Sequence, residues 1–284
     1  MILISGSNGL LGTSLKYYFK KKKIDFKTMG SENSNFNGDI KNNFFVEKTI
    51  KRVSPKIFIN LAALTNVDYC ENNQNLTYKV NTEFPEIVLK KLKSNLNDYY
   101  FIQISTDMIY SGKGPHKEEH PKPINEYSKS KYETDKILLG YNAISLRTNF
   151  FGKSQNKSRL SFSDQIYKSC LNEKKIHLFR DVQFSPVSFN TINKVLNLII
   201  KRKIFGIYNL GSKKGMSKEN FGINLCKTLN LNTNYIKPNY LKKMNSLAKR
   251  PFDMRLDTSK LEKKLNLKFT NTENEIKSIK SDYL

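Results

Sequence analysis

Residues 1–19 read MILISGSNGLLGTSLKYYF. A short apolar run, Met1 to Ser5, is followed by Gly6, Gly9 and Gly12, and then by Leu11, Leu15 and Phe19 at helical spacing. The order is strand, glycine-rich turn, helix. Glycines at this spacing let the backbone turn tightly and come close to a pyrophosphate, whose charge is met by the helix N-terminus. The turn therefore points to dinucleotide binding, with Asn8, Leu10 and Leu11 beside the three glycines as expected contacts. The competing reading is a tight βα turn with no ligand.

Outward from that turn, apolar runs and helical patterns alternate. Strands are expected at 25–29, 57–63, 99–105 and 142–147, and helices at 44–53, at 74–95 with an interruption near Pro85, and at 125–139. Alternation of this kind implies βαβ units, a parallel sheet and right-handed crossovers. After residue 150 the pattern is less regular, with helical segments at 161–171, 195–201, 221–229 and 256–265 and a strand at 206–212. The expected fold is α/β: a Rossmann-type doubly wound parallel sheet with a smaller, interleaved α/β region at the C-terminus. Residues 1–150 form the first domain and 151–284 mainly the second, with a strand near 206–210 returning to the first sheet.

Composition narrows the function classes. The chain of 284 residues carries a formal charge of +24, which suggests a nucleic-acid or membrane-surface binder. Yet of 49 basic residues only seven are arginine and 42 are lysine, spread through every segment. Base readers favour the arginine fork, so the charge reads as a solvated surface whose field would still draw an anionic small substrate. No nucleic-acid or membrane partner is expected. Cys70, Cys170 and Cys226 are odd in number and distant in sequence, which is neither a disulfide framework nor a metal knuckle. His116 and His120 lie four apart but are flanked by Pro115 and Pro121, so no metal site is expected. No secretory signal or membrane span is evident. A reducing cytoplasm fits this cysteine usage.

The second ribose-side signal is Asp39-Ile40 after Gly38, placed to meet an adenine. Glu32 lies at the distance of the ribose-binding acid but beyond Met29, Gly30 and Ser31. Small residues there, with Lys27 nearby, leave room for a 2′-phosphate and favour NADPH over NADH. The strand at 99–105 runs into Ser105-Thr106-Asp107, and ligands in open α/β sheets sit at the carboxyl ends of strands. Residues 127–136, YSKSKYETDK, then offer two Tyr-x-x-x-Lys pairs, Tyr127 with Lys131 and Tyr132 with Lys136. A lysine held near a phenol favours the phenolate, a device for proton transfer to a carbonyl. Chance placement of so many tyrosines and lysines gives about two such pairs, and the chain has four, so spacing alone does not choose between them.

In order, GSNGLLG, NLAALTNVDYCE (60–71), ISTDMIYSG (104–112), NEYSKSKYETD (125–135), RTNFFG (147–152) and KRPFDMRLDTSKL (249–261) resemble the extended short-chain dehydrogenases/reductases. The nearest likeness is to the dTDP-4-dehydrorhamnose reductase family of sugar-nucleotide reductases, along nearly the whole chain. The resemblance implies Tyr127 as the acid, Lys131 as its partner and Thr106 as the hydroxyl that holds the carbonyl. It implies that Ala62, Ala63, Thr65, Asn81 and Ser105 meet the cofactor, and that Asp107, Met108, Phe150 and Arg250 meet the sugar nucleotide. The activity implied is NAD(P)H-dependent reduction of a nucleotide-linked 4-keto-(deoxy)hexose for surface polysaccharide synthesis.

There are departures. The family often has a tryptophan after Arg-Thr-Ser; this chain has Asn149 and Phe150 there and no tryptophan. Some members dimerise through a metal held in part by the first helix. That position falls near Ser14 here, so a homodimer is admitted but the metal is not carried over. Alternatives within the resemblance are a sugar-nucleotide epimerase or dehydratase with retained NAD, and a non-catalytic regulatory subunit on the same fold. A dehydratase typically has Asp-Glu beside the threonine, whereas Asp107 is followed here by Met108.

Overall fold

The computed structural model describes residues 1–156, 158–245 and 247–284. Its centre is a seven-stranded sheet: β1 (Ile2–Ser5), β2 (Phe26–Gly30), β3 (Phe36–Asn37), β4 (Ile57–Asn60), β5 (Tyr100–Thr106), β6 (Ala143–Thr148) and β7 (Gly206–Leu210). The spatial order is β7-β6-β5-β4-β1-β2-β3, and every pairing is parallel. β7 crosses from the second half of the chain to pair with β6, Ile207 opposite Ser145. The order reverses between β1 and β4, which opens a crevice at their carboxyl ends.

Alternation along the strands builds the first core, with one layer on each face of the sheet. Ile2, Ile4, Ile59, Ile102, Ile144 and Leu146 face one side and pack with α1 (Leu10–Lys21). Leu3, Phe58 and Phe101 face the other and pack with α2 (Asn43–Val53) and α3 (Phe84–Asn95). Behind β5 and β6 lies α4 (Glu126–Leu138). Being covered on both faces, these strands read as continuous apolar runs, as buried parallel strands do.

The interruption expected near Pro85 is a π-helical turn that ends two residues before it. Gln74–Tyr78 is α-helical, Lys79–Glu83 is a π-helical turn, and α3 follows with Pro85 in its first turn. The chain stays helical through Glu83 and Phe84, and the wider pairing of the π turn, with the Phe84 N–H on the Lys79 carbonyl, accommodates a proline that has no N–H to donate. The π turn lets Asn81 and Thr82 reach α4: Asn81 Nδ2 donates to Ser130 Oγ, and Thr82 Oγ1 to the Ser130 carbonyl.

The remainder forms a second core around α5 (Phe162–Leu171) and α7 (Lys218–Thr228). Between them in sequence, α6 (Phe189–Arg202) returns to the main sheet and begins six residues before the expected start, capped by Ser188. Phe151, Phe162, Phe184 and Phe221 stack in the second core with ring centroids 4.8 to 6.0 Å apart. The three cysteines are free, and the fold brings Cys170 and Cys226 to 3.3 Å between sulfurs within this core. Among the described residues no helix is long and apolar enough to cross a membrane.

Candidate active site

The carboxyl ends of β1, β4, β5 and β6 line one crevice that divides into two lobes of about 560 and 590 Å³. A buried side-chain rail sets its floor. Ser5 Oγ donates to Asn60 Oδ1 at 2.6 Å, and Asn60 Nδ2 donates to Gln103 Oε1 at 2.8 Å, tying β1, β4 and β5 together just below the opening.

The glycine turn enters both lobes. Gly6 has φ +68°, and a Cβ there would fall 2.5 Å from the Ala62 nitrogen; one on Gly12 would fall 2.5 Å from the Gly6 carbonyl oxygen. These two glycines are fixed by the protein's own backbone. Gly9 differs: its nearest protein neighbour would be 3.4 Å away, so its bare side faces the crevice. α1 starts at Gly9 with no side-chain cap and no acid in its first turn, which leaves its leading N–H groups open to an anion. Two buried hydroxyls, Ser7 Oγ and Ser105 Oγ, have no partner among the described residues, and each borders a lobe. A dinucleotide with its pyrophosphate at the turn fits these residues.

In the first lobe stand Thr106, Tyr127 and Lys131. Asn125 caps α4 by accepting from the Ser128 N–H and anchors it by donating to the Lys249 carbonyl. The helix then presents residues 127 and 131 on one face. The Tyr127 hydroxyl hydrogen-bonds Thr106, and burial pushes its pKa above the ordinary phenol range. Burial pushes Lys131 down to about 8, against the opposing pull of Asp135. Tyr132 and Lys136 turn away: Lys136 is exposed, pairs with Glu133 at 2.7 Å and lies over the Tyr132 ring. Geometry thus separates the two pairs that spacing could not.

A family model described as RmlD substrate binding domain matches residues 1–284. The chain belongs to that family. A dTDP-4-dehydrorhamnose reductase from Aggregatibacter actinomycetemcomitans is 25% identical over 303 residues, covering 99% of this chain and 98% of that one. Methionine adenosyltransferase 2 subunit beta from Danio rerio is 22% identical, covering 92% and 84%. Among solved structures, dTDP-4-dehydrorhamnose reductase from Bacillus anthracis in complex with NADP superposes with a TM-score of 0.85 at 24% identity, covering 99% and 98%, a likeness of fold.

Within this RmlD-type fold, the expected site residues fall as follows. Gly6, Gly9, Leu10, Leu11, Gly12, Ala63, Thr65 and Ser105 line the first lobe. Asn8, Asp39, Ile40 and Ala62 line the second. Asp107, Met108 and Phe150 stand at the first lobe, opposite the glycine turn. Asn81 lines neither: its amide is taken up by the Leu64 N–H and carbonyl and by Ser130, so it braces the cofactor-side loop against α4. Arg250 also lies off the crevice wall, paired with Asp68 at 2.6 Å. Lys27 lies over the Phe36 ring rather than in the second lobe, where Gly30, Ser31 and Ser34 leave space.

Two polar groups beside Asp107 have no single-residue signature in the sequence. Asn149 Nδ2 donates to Asp107 Oδ2 at 3.0 Å. Lys218, the first residue of α7, faces the same carboxylate, and burial lowers its pKa while Asp107 opposes the shift. Asp107 itself is raised to about 6, by burial against the pull of Asn149 and Lys218. In a chain of 42 lysines nothing marks Lys218; only the fold, which brings the start of α7 towards Asp107, does. Among the described residues no group of three or more His, Cys, Asp or Glu side chains is placed to hold a metal ion.

Proposed function

We propose that this chain is an NADPH-dependent reductase of a nucleotide-linked 4-keto-(deoxy)hexose. One observation carries the reading: a ligand-facing glycine turn and the Thr106–Tyr127–Lys131 group share one crevice. The matched family and the dTDP-4-dehydrorhamnose reductase relative point the same way.

A reduced nicotinamide dinucleotide, when bound, supplies the hydride. Gly6, Gly9, Gly12, Ser7, Ser105 and Ala62–Ala63 would hold it, and the open space at Gly30, Ser31 and Ser34 suits a 2′-phosphate. Thr106 hydrogen-bonds the substrate carbonyl oxygen. Tyr127 gives that oxygen its proton. Lys131 in its ammonium form then favours the phenolate left behind. A phenol is neutral at this pH without burial; the raised pKa makes Tyr127 a weaker acid, and the Lys131 ammonium offsets that as the proton leaves. Asp107, Met108 and Phe150 orient the sugar, with Asn149 and Lys218 behind Asp107. In this reading residues 1–150 serve the cofactor and 151–284 mainly the sugar nucleotide.

The test is NADPH oxidation followed at 37 °C with a dTDP-linked 4-keto-6-deoxyhexose, repeated with the UDP- and GDP-linked analogues. Turnover that requires added NADPH supports the reading. Purified protein that already carries stoichiometric NAD and converts the sugar with no added reductant would reject it.

A further inference from the structure

Seven arginines are present, and six have a partner for the side chain. Arg147, Arg180, Arg250 and Arg255 pair with carboxylates, Arg202 donates to the Leu265 carbonyl, and Arg52 lies over the Phe36 ring. The Arg159 guanidinium has no such partner among the described residues. It is also a wall of both lobes of the crevice, so it stands over the junction where the glycine turn lies.

The segment carrying it is tied down locally. Ser154 Oγ accepts from the Asn156 N–H, Asn156 Oδ1 accepts from the Ser158 N–H and hydroxyl, and the Arg159 N–H donates to the Asn156 carbonyl. Asn156 Nδ2 then donates at 2.9 Å to the carbonyl of Asn8, a residue of the glycine turn itself and 148 positions away. Asn156 and Arg159 are therefore docked on the phosphate-side loop, with the Arg159 fork, unpaired among the described residues, at the rim of the crevice. Opposite stand the uncapped N-terminus of α1 and the open face of Gly9. A group between the two walls meets helix N–H donors on one side and a planar cation on the other, the donor set for a bridging diphosphate.

We propose that Arg159 clamps the diphosphate of the dinucleotide from across the crevice, making a binding residue of a segment outside the glycine motif. The proposal rests on the reading of this crevice as a dinucleotide site. A diphosphate could come from the cofactor or from the sugar nucleotide, and the position over the glycine turn favours the cofactor.

The test is fluorescence titration of NADPH and of NADH with no sugar nucleotide present, on wild type, Arg159→Ala and Arg159→Lys. Thermal unfolding of each confirms the fold, which an exposed side chain leaves intact. Arg159→Ala is expected to weaken both dinucleotides by the same factor, roughly five- to twentyfold, as loss of a charge-assisted fork would. Arg159→Lys should fall between, since it keeps the charge and loses the fork. Unchanged affinity for both dinucleotides overturns the proposal. A loss confined to NADPH overturns it too, by moving the contact to the 2′-phosphate, as does an effect only on the KM of the sugar nucleotide. Because the titration contains no substrate, wild-type protein that binds NADPH but reduces no keto-sugar nucleotide sinks the reductase reading alone.

Discussion

At the scale of single residues, the crevice concentrates groups whose ionisation is set by burial. Tyr127→Phe removes the proton donor and keeps the ring's packing against Val67, Cys70 and Ala248. Turnover should fall by roughly 10²- to 10⁴-fold with NADPH affinity nearly intact, while Tyr132→Phe should retain activity. Full turnover in Tyr127→Phe would remove it from the mechanism. Lys131 makes a separate statement about pH. The proposed mechanism needs its ammonium form, and Lys131 loses its proton as pH rises through about 8. The kcat/KM profile should therefore carry an alkaline limb near pH 8, and a rate that holds flat to pH 10 would contradict that role.

Asp107 bears on stability. Its folded pKa is raised to about 6, from an ordinary value near 4, so the folded state holds the extra proton between those limits. Stability then falls as pH rises across that window, and at neutral pH the buried carboxylate is a net cost. Asp107→Asn should raise the melting temperature at pH 7.5, by at most roughly 2–3 kcal/mol of stability, with the gain fading as pH is lowered from 6 towards 4. Activity should drop in the same variant. A carboxylate retained against stability in a crevice is a mark of function.

At the scale of elements, the glycine turn holds two kinds of glycine. Gly6 and Gly12 are demanded by the chain's own backbone, whereas Gly9 has ordinary φ and room for a methyl group. Gly9→Ala should therefore fold with near wild-type stability and bind NADPH at least tenfold more weakly, because the added Cβ enters the ligand's space. Gly6→Ala should lose stability as well. Calorimetry of the two apo variants beside cofactor titrations separates the cases, and equal behaviour would deny the turn its ligand-facing side. α4 shows the complementary dependence of a site on its cap. Its start is fixed by Asn125, whose side-chain oxygen caps the first turn while its amide nitrogen reaches Lys249 far along the chain.

At the scale of the whole molecule, the two halves of the chain share one sheet. β7 comes from the second half and covers the edge of β6. Beneath it runs a buried network: Arg147 bonds Asp135 at 2.8 Å and the Tyr110 hydroxyl at 2.7 Å, Tyr110 donates to Asn209 on β7, and the Asn209 N–H meets Glu118. Arg147 is 1% exposed, so removing its partners leaves a buried cation without compensation. A fragment of residues 1–150 lacks Asn209 and the covering strand. It should show no cooperative unfolding transition by circular dichroism, and a sharp two-state melt would mean that the first half is self-sufficient.

How much of this was legible depended on whether the signal was local. Strand alternation and the GxxGxxG turn dictate β1, α1 and the parallel core, because side-chain period and backbone sterics act over a few residues. Ser105-Thr106-Asp107 and Tyr127 with Lys131 are also local patterns, but their rivals were equally local: Tyr132 with Lys136 has the same spacing. Only the packing of α4 against β5 turns one pair into the crevice and leaves the other at the surface. Asn81 was expected, by resemblance, to meet the cofactor, but the π turn aims its amide at Leu64 and Ser130 instead. Lys218, Asn149 and Arg159 became visible only when distant segments closed over the crevice. The sequence by itself determined the fold class and the phosphate-facing turn, because these follow from propensity and periodicity. The tertiary structure decided which of many lysines, tyrosines and arginines meet, because burial and charge pairing depend on contacts between residues far apart in the chain.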